Sequence, residues 1–218
     1  SLTDSSNIGA GLSIPYFWSI AKDKDLTVTP RYYVSGYPLF LTEYRQDFKN
    51  SYLILDSSFT KGYKKTSNTK LAGSRSHFFS RFDMNLIDEN LKTSNIEINL
   101  QVLSNDTYLK VHDINTELAD SSYGVLENTF NYNYQHEDLF FFFTVSAYEN
   151  LTIVDRSKYE YLLPYINFEK NLVTSPKYGF LDLASQIKVR NYDVNKQTEF
   201  LVNDFNWKSN RWISDFGF

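Results

Sequence analysis

Apolar and polar residues alternate with a period of two along much of the chain. Ile96-Glu97-Ile98-Asn99-Leu100-Gln101-Val102 does so strictly, as does Phe130-Asn131-Tyr132-Asn133-Tyr134-Gln135. Leu181 to Val189 alternates with one small-residue gap. From Phe78 to Leu86 the pattern is looser, with Phe78, Phe82, Met84 and Leu86 on one side and Arg81, Asp83 and Asn85 on the other. Successive side chains of a strand point to opposite faces, so each run predicts a strand with one apolar and one polar face. Short spacers rich in turn residues separate the runs: Lys22 to Asp25, Ser35-Gly36-Tyr37-Pro38, Phe48 to Asn50, Asp88 to Asn90, His136 to Asp138 and Asn191 to Lys196. The pattern predicts an all-β chain, an antiparallel up-and-down meander of about ten or eleven strands. No segment predicts a helix, and the polar stretch from Asn105 to Ser122 reads as a long loop with partial order.

The expected strands run to roughly 9–13 residues, against a usual five or six in soluble proteins. A tilted strand crossing a bilayer needs about 9–11. Aromatic residues gather near the expected strand ends, at Tyr16-Phe17-Trp18, Tyr32-Tyr33, Tyr159 with Tyr161, and Trp207 with Trp212. Aromatic girdles at two membrane interfaces produce this distribution. Strand length and aromatic bias together favour a transmembrane barrel over a large soluble sandwich or barrel with an aromatic core.

Composition narrows the options. The 218 residues include 18 Phe, 17 Tyr and 3 Trp but only 1 Met and no Cys. Without cysteine the chain holds no disulfide, thiolate zinc site or cysteine nucleophile. The net charge of −4 carries no basic stripe, which argues against nucleic acid as a partner. The mean hydropathy of −0.42 does not argue against a barrel, in which only one face of each strand meets lipid. No run approaches the roughly 20 apolar residues of a transmembrane helix. Ser1 to Asn7 has neither the basic start nor the apolar core of a signal peptide, as expected of a mature or internal stretch.

Two prolines fall inside otherwise strand-like sequence, Pro15 in Ile14 to Ala21 and Pro30 in Asp25 to Tyr32. Proline cannot donate to a sheet ladder and is confined to edges, strand ends and bulges.

These same residues carry a family resemblance. Pro15-Tyr16-Phe17-Trp18-Ser19-Ile20-Ala21, Asp25-Leu26-Thr27-Val28-Thr29-Pro30-Arg31-Tyr32 and Glu43-Tyr44-Arg45 resemble, in order and spacing, the start of the barrel in the LPS-assembly protein family LptD, the organic solvent tolerance proteins. Ser104 to Lys110, Leu163-Pro164, and Arg190 with Asn206-Trp207 are weaker points of similarity. The resemblance implies a partial barrel over residues 1–218, with residues 1–11 as a lead-in and with the family's jelly-roll domain and later strands absent. It also implies a non-enzymatic role with no cofactor. A barrel in the Gram-negative outer membrane would take lipopolysaccharide from an LptA-type periplasmic bridge, hold an LptE-type lipoprotein plug, and release lipid between its first and last strands. On that view Pro15 and Pro30 become lateral-gate candidates, because each missing N–H weakens a seam that must open. The alternatives are a passive channel or receptor barrel of another family, and a soluble secreted β-protein. For the isolated stretch the expectation is an open sheet with the Pro15 strand at one edge.

Candidates for lumen contacts with lipopolysaccharide or the plug are the polar-face residues Arg31, Glu43, Arg45, Arg81, Asp83, Glu97, Asn99 and Gln101. His77, His112 and His136 are dispersed without metal-ligand spacing and read as turn or lumen residues. There is no G-x-S-x-G motif, and no acidic pair is singled out by spacing, so the sequence argues against catalysis.

Overall fold

The computed structural model describes residues 2–5, 8–61, 73–86 and 93–209. Thirteen strands form one antiparallel sheet: β1 (Leu2–Ser5), β2 (Gly9–Ser13), β3 (Tyr16–Ala21), β4 (Lys24–Tyr33), β5 (Leu39–Asp47), β6 (Ser51–Thr60), β7 (Arg75–Asn85), β8 (Thr93–Leu103), β9 (Val125–His136), β10 (Leu139–Asn150), β11 (Tyr159–Ser175), β12 (Gly179–Tyr192) and β13 (Lys196–Lys208). Each strand pairs with its neighbour in sequence, except that β2 and β3 both pair with the same side of β4. Among the described residues, thirteen strands therefore occupy twelve rows, and the sheet is open between β1 and β13. Most strands run 9–14 residues, and β11 reaches 17 with register shifts on both sides. The Leu163–Pro164 peptide is cis and lies inside β11 at one of these shifts.

Register sorts the side chains into two faces. One row runs Tyr16, Val28, Thr42, Ser57, Phe78, Val102 from β3 to β8, and the next runs Trp18, Leu26, Tyr44, Leu55, Ser80, Leu100. This outer face is apolar, and Tyr16, Trp18, Phe40, Phe59, Phe78, Leu100, Val102, Phe205 and Trp207 stand exposed on it. The opposite face carries Asp25, Arg45, Ile54, Arg81, Asn99, Thr129 and Ser146 in one row from β4 to β10. A second row there runs Asp47, Tyr52, Asp83, Glu97, Asn131, Thr144, Tyr165 and Lys188. Continuous exposed apolar surface of this extent belongs against lipid or a partner rather than water.

The turns use residues suited to their backbones. Asp193 and Asn195, in the β12–β13 turn, have φ of 52° and 62°, the left-handed region that Asp and Asn enter most readily among non-glycine residues. Gly179 opens β12 at φ 90°, where a Cβ would fall 2.0 Å from the Lys208 carbonyl oxygen. Glycine alone fits there. The expected turn at Asp88 to Asn90 and the girdle residue Trp212 lie outside the described residues.

The expected loop from Asn105 to Ser122 is more ordered than its sequence suggests. It contains a short helix, α1 (Tyr108–His112), capped by Asp113 at φ 47°. It folds back over one end of the inner face, where Tyr108, Leu109, Ile114 and Ala119 pack with Ile8, Tyr33, Leu39, Leu41, Phe79 and Leu126. The main apolar core therefore lies between this segment, called the lid below, and the sheet. One aromatic expectation fails here. Tyr33 shares the face of Arg31 by period two and is buried at 8% exposure, so only Tyr32, half exposed, is available to a girdle.

Candidate functional site

The first site is the junction of β2, β3 and β4. Ser13 pairs with Arg31, and Tyr16 pairs with Val28. The register is thus unbroken from β2 into β3, and the two are one strand interrupted at Ile14 and Pro15. The Ile14 N–H donates to the Pro30 carbonyl at 3.1 Å. In an antiparallel pair, residues that exchange bonds point both backbone groups at each other. Pro30 therefore faces the Ile14 carbonyl without an N–H to give it. Pro15, one residue on, faces the other way, and its missing N–H lies on the side away from β4. Both prolines weaken the same point of the sheet, one inside the β2/β3–β4 ladder and one on its outer side. From Ser13 onward that outer side is the sheet edge among the described residues, while β1 covers Gly9 to Leu12.

Beside this junction, on the inner face, lies a cavity of about 260 Å³ lined in part by Ser13, Pro15, Thr29, Arg31, Glu43 and Asp56. Asn115 and Thr116 of the lid also line it.

The second site is the polar attachment of the lid. Arg31 is buried at 8% exposure. Its Nε donates to Ser13 Oγ at 2.9 Å, and its Nη1 donates to the carbonyls of His112 at 2.7 Å and Asp113 at 3.1 Å. The Tyr33 hydroxyl donates to the same His112 carbonyl at 3.0 Å. Carbonyls at a helix C-terminus have no partner within the helix, and here Arg31 and Tyr33 supply donors. Further along the sheet, Ser58 Oγ lies 2.6 Å from His77 Nδ1 and 2.7 Å from the Tyr108 hydroxyl. His77 Nε2 lies 3.1 Å from Asp56 Oδ1, and Thr116 Oγ1 donates to Asp56 Oδ2. Arg81 reaches Glu117 of the lid at 3.2 Å.

Ser58, His77 and Asp56 are a Ser–His–Asp set that the sequence did not reveal. Its geometry suits anchoring. In serine hydrolases His uses Nε2 toward the nucleophile and Nδ1 toward the acid, and here the two are reversed. The serine hydroxyl is also occupied by Tyr108 and buried at 4% exposure. A neutral His77 that donates from Nε2 and accepts at Nδ1 satisfies each bond in the chain from Tyr108 to Asp56.

The eight polar-face candidates share the inner face by register but do different things there. Arg31 and Arg81 hold the lid. Arg45 pairs with Asp25 at 3.0 Å and approaches Glu43 at 3.7 Å. Asp83 lies 3.3 Å from Arg81, and Asn99 donates to Glu97 at 3.0 Å. Gln101 is taken up by the end of the β8–β9 ladder, where its Oε1 accepts from the Glu127 N–H at 2.8 Å. His77 and His112 flank Tyr108, while His136 sits in the β9–β10 turn 3.3 Å from Asp138. Burial, with the nearby Arg31 and Arg75 charges, pushes His112 down to about 4. A second loop joins the lid: the Lys158 ammonium contacts Glu149 at 2.6 Å and Asp106 at 3.5 Å. The Glu149 hydrogen bond holds Lys158 well above the usual lysine range.

No protein-family model matches the chain. Among curated proteins, the LPS-assembly protein LptD of Nitrosococcus oceani is 27% identical over 176 residues, which is 78% of this chain and 21% of that protein. The LptD of Legionella pneumophila strain Lens is 25% identical across 95% of this chain and 24% of its own length. That of strain Paris is 29% identical over 52% of the chain. The chain is similar to part of LptD. It spans about a fifth to a quarter of the length of the relatives that match most of it. The match, extending across most of the chain, agrees with the resemblance carried by the Pro15 and Pro30 segments.

Proposed function

We infer that the chain is the gate-bearing first part of an outer-membrane barrel that places lipopolysaccharide in the outer leaflet. The observation that carries this is the similarity to LPS-assembly proteins over nearly the whole chain. An apolar outer face backed by polar inner rows supports a lipid-facing wall around an aqueous path. Further strands close the barrel beyond β13, and the proline-weakened junction is where lipid leaves sideways. Each absent ladder bond removes a net ~0.5–1.5 kcal/mol, and more where no water replaces it. An LptE-type plug and an LptA-type bridge are the partners of the whole protein, and the role needs no catalysis.

The test is photocrosslinking in cells with the full-length protein. A photoreactive residue at Thr27 or Thr29, on the inner face beside the junction, should capture lipopolysaccharide. The same residue at Tyr134, on the outer face of β9, should capture bulk lipid instead. Absence of lipopolysaccharide adducts at both inner positions, in cells still exporting it, overturns the proposal.

A further inference from the structure

We propose that residues 105–122 are a lid whose docking is coupled through Arg31 to closure of the β2/β3–β4 junction. Lifting the lid and loosening the junction then favour each other. The use of this coupling in transport rests on the functional reading above; the coupling itself does not.

Two of the lid's polar anchors differ in reach. The first is Arg31, whose guanidinium bonds Ser13 on β2 and two carbonyls of the lid while standing on β4. Ser13 and Arg31 are register partners, next to Ile14 and Pro30. Their side-chain bond is thus a second tie between β2 and β4, placed where the backbone ladder has lost a bond. A guanidinium is a rigid planar fork, so its donors cannot be re-aimed independently. When the lid lifts, this buried cation loses two acceptors and must turn toward water, and its alignment with Ser13 goes with them. When β2 moves away, the loss of Ser13 frees Arg31 to leave the lid carbonyls. The second anchor is the Asp56–His77–Ser58 chain on β6 and β7, which holds Thr116 and Tyr108. These four hydrogen bonds join β6 and β7 to the lid.

The lid is suited to leaving. Its fully buried apolar content is four residues, Tyr108, Leu109, Ile114 and Ala119. Most of its other attachments are hydrogen bonds and ion pairs that water in a lumen can replace. Elements held this way open at free energies well below that of the whole fold. Its Asn115 and Thr116 line the cavity beside Pro15, so lifting the lid also opens that cavity.

The separation of the anchors provides the experiment. The full-length protein, with its native plug and in lipid nanodiscs, is followed by hydrogen exchange. Tyr108→Phe with Ser58→Ala weakens the second anchor where Tyr108 meets β6 and leaves Arg31, Ser13, both prolines and the cavity-lining Asp56 and Thr116 intact. Lid amides should exchange faster, and the amides from Ile14 to Ser19 should also quicken about two- to tenfold, the equivalent of about one lost hydrogen bond. The β9–β10 hairpin should be unchanged. A faster lid over an unchanged junction overturns the coupling. If the double variant lowers folded yield, Tyr108→Phe alone removes one hydroxyl and reads the same quantity.

Coupling between sites is reciprocal. Ser13→Ala removes the hydroxyl to which Arg31 donates on β2 and should quicken exchange of the Ile114 amide, and no effect there likewise overturns the coupling. Exchange needs no lipopolysaccharide and so judges the coupling alone. Unchanged lipopolysaccharide export by a folded Arg31→Gln protein overturns the coupling's role in transport while leaving the exchange result standing.

Discussion

Replacing Pro30 and Pro15 separately by alanine distinguishes two ways in which the junction could open. Pro30→Ala restores an N–H directed at the Ile14 carbonyl, opposite the Ile14 N–H that already donates to residue 30 at 3.1 Å. It completes one bonded pair between β2/β3 and β4. The gain is one backbone hydrogen bond, net ~0.5–1.5 kcal/mol, which slows local opening by roughly two- to tenfold. Proline's stiffening of the unfolded chain, about 0.4–1 kcal/mol, is lost but affects global unfolding rather than this local step. Pro15→Ala restores an N–H that points away from β4, so it adds nothing to that ladder. It can add a bond only to a strand closing the barrel from the other side. Exchange of the Ile14 and Tyr16 amides in the full-length protein reads the first effect, and cysteine crosslinking across the first and last strands reads the second. Pro30→Ala should slow exchange two- to tenfold with crosslinking unaltered, and Pro15→Ala should do the reverse. Lipopolysaccharide export should fall with whichever substitution tightens the gap used for release. Equal responses in both assays, or faster exchange in Pro30→Ala, would refute the assignment of the two N–H vectors.

Two further predictions concern the faces and the lid. Leu100→Lys puts a charge on the outer face and should cost about 2–4 kcal/mol of folding stability if it lies near the bilayer midplane. Asn99→Lys, one residue away on the inner face, should cost less than 1 kcal/mol; denaturant titration of the full-length protein in vesicles compares them, and equal costs refute the face assignment. His112 sits at about 4 in the docked lid, held down by burial and then by Arg31 and Arg75, against about 6.5 when free. Below about pH 6.5 the undocked lid therefore binds a proton that the docked lid does not, so docking weakens as the pH falls toward 4 and levels off beneath it. At pH 5 this favours the undocked lid by up to about thirtyfold relative to pH 8. Exchange of lid amides should show that dependence, His112→Gln should flatten it, and an unchanged slope in that variant would remove His112 from the explanation.

The strands were legible because each carries its own evidence. Ile96 to Val102 alternates strictly and lies wholly within β8, and Phe130 to Gln135 lies within β9. The two faces follow from the same period, and so does the shared face of the eight polar candidates. Alternation did not say what each side chain would meet. Gln101 shares the face of Asn99 by register, yet β8–β9 pairing ends at Asn99 with Thr129, and Gln101 spends its amide on the backbone beyond. Tyr33 was grouped with Tyr32 as a girdle pair, although Arg31 two residues earlier marks its face as the polar one. The lid left almost no local signal. Its four buried apolar residues, Tyr108, Leu109, Ile114 and Ala119, lack sustained helical spacing, and α1 is only five residues long. They are buried because partners such as Tyr33 and Phe79 come from strands 29 or more residues away. The Ser58–His77–Asp56 chain was invisible for the same reason. It arises from the β6–β7 register, which sets Ser58 opposite His77 and leaves Asp56 diagonal to it.

The pattern of weak and strong pairing along the sheet then has a physical reading. From β5 to β10 the ladders are long, and the inner rows add side-chain ties between strands such as Asn99 to Thr129 and Asn131 to Glu97 across β8 and β9. At β2/β3 the ladder is cut at one point by two prolines facing opposite ways. A strand weakened on both sides at one residue can swing there without unzipping its remaining pairs, because register holds from Gly11 to Ser13 and again from Tyr16 to Ser19. Such a hinge would be a liability in lipid if nothing held it shut, since an unpaired carbonyl there has no water to turn to. Arg31 supplies the missing restraint from the wet side of the sheet, where its bonds can be exchanged for water. On the function proposed above, a seam broken in its backbone and held by a side chain would be closed by default and openable from the lumen, the behaviour a lateral exit for lipid requires.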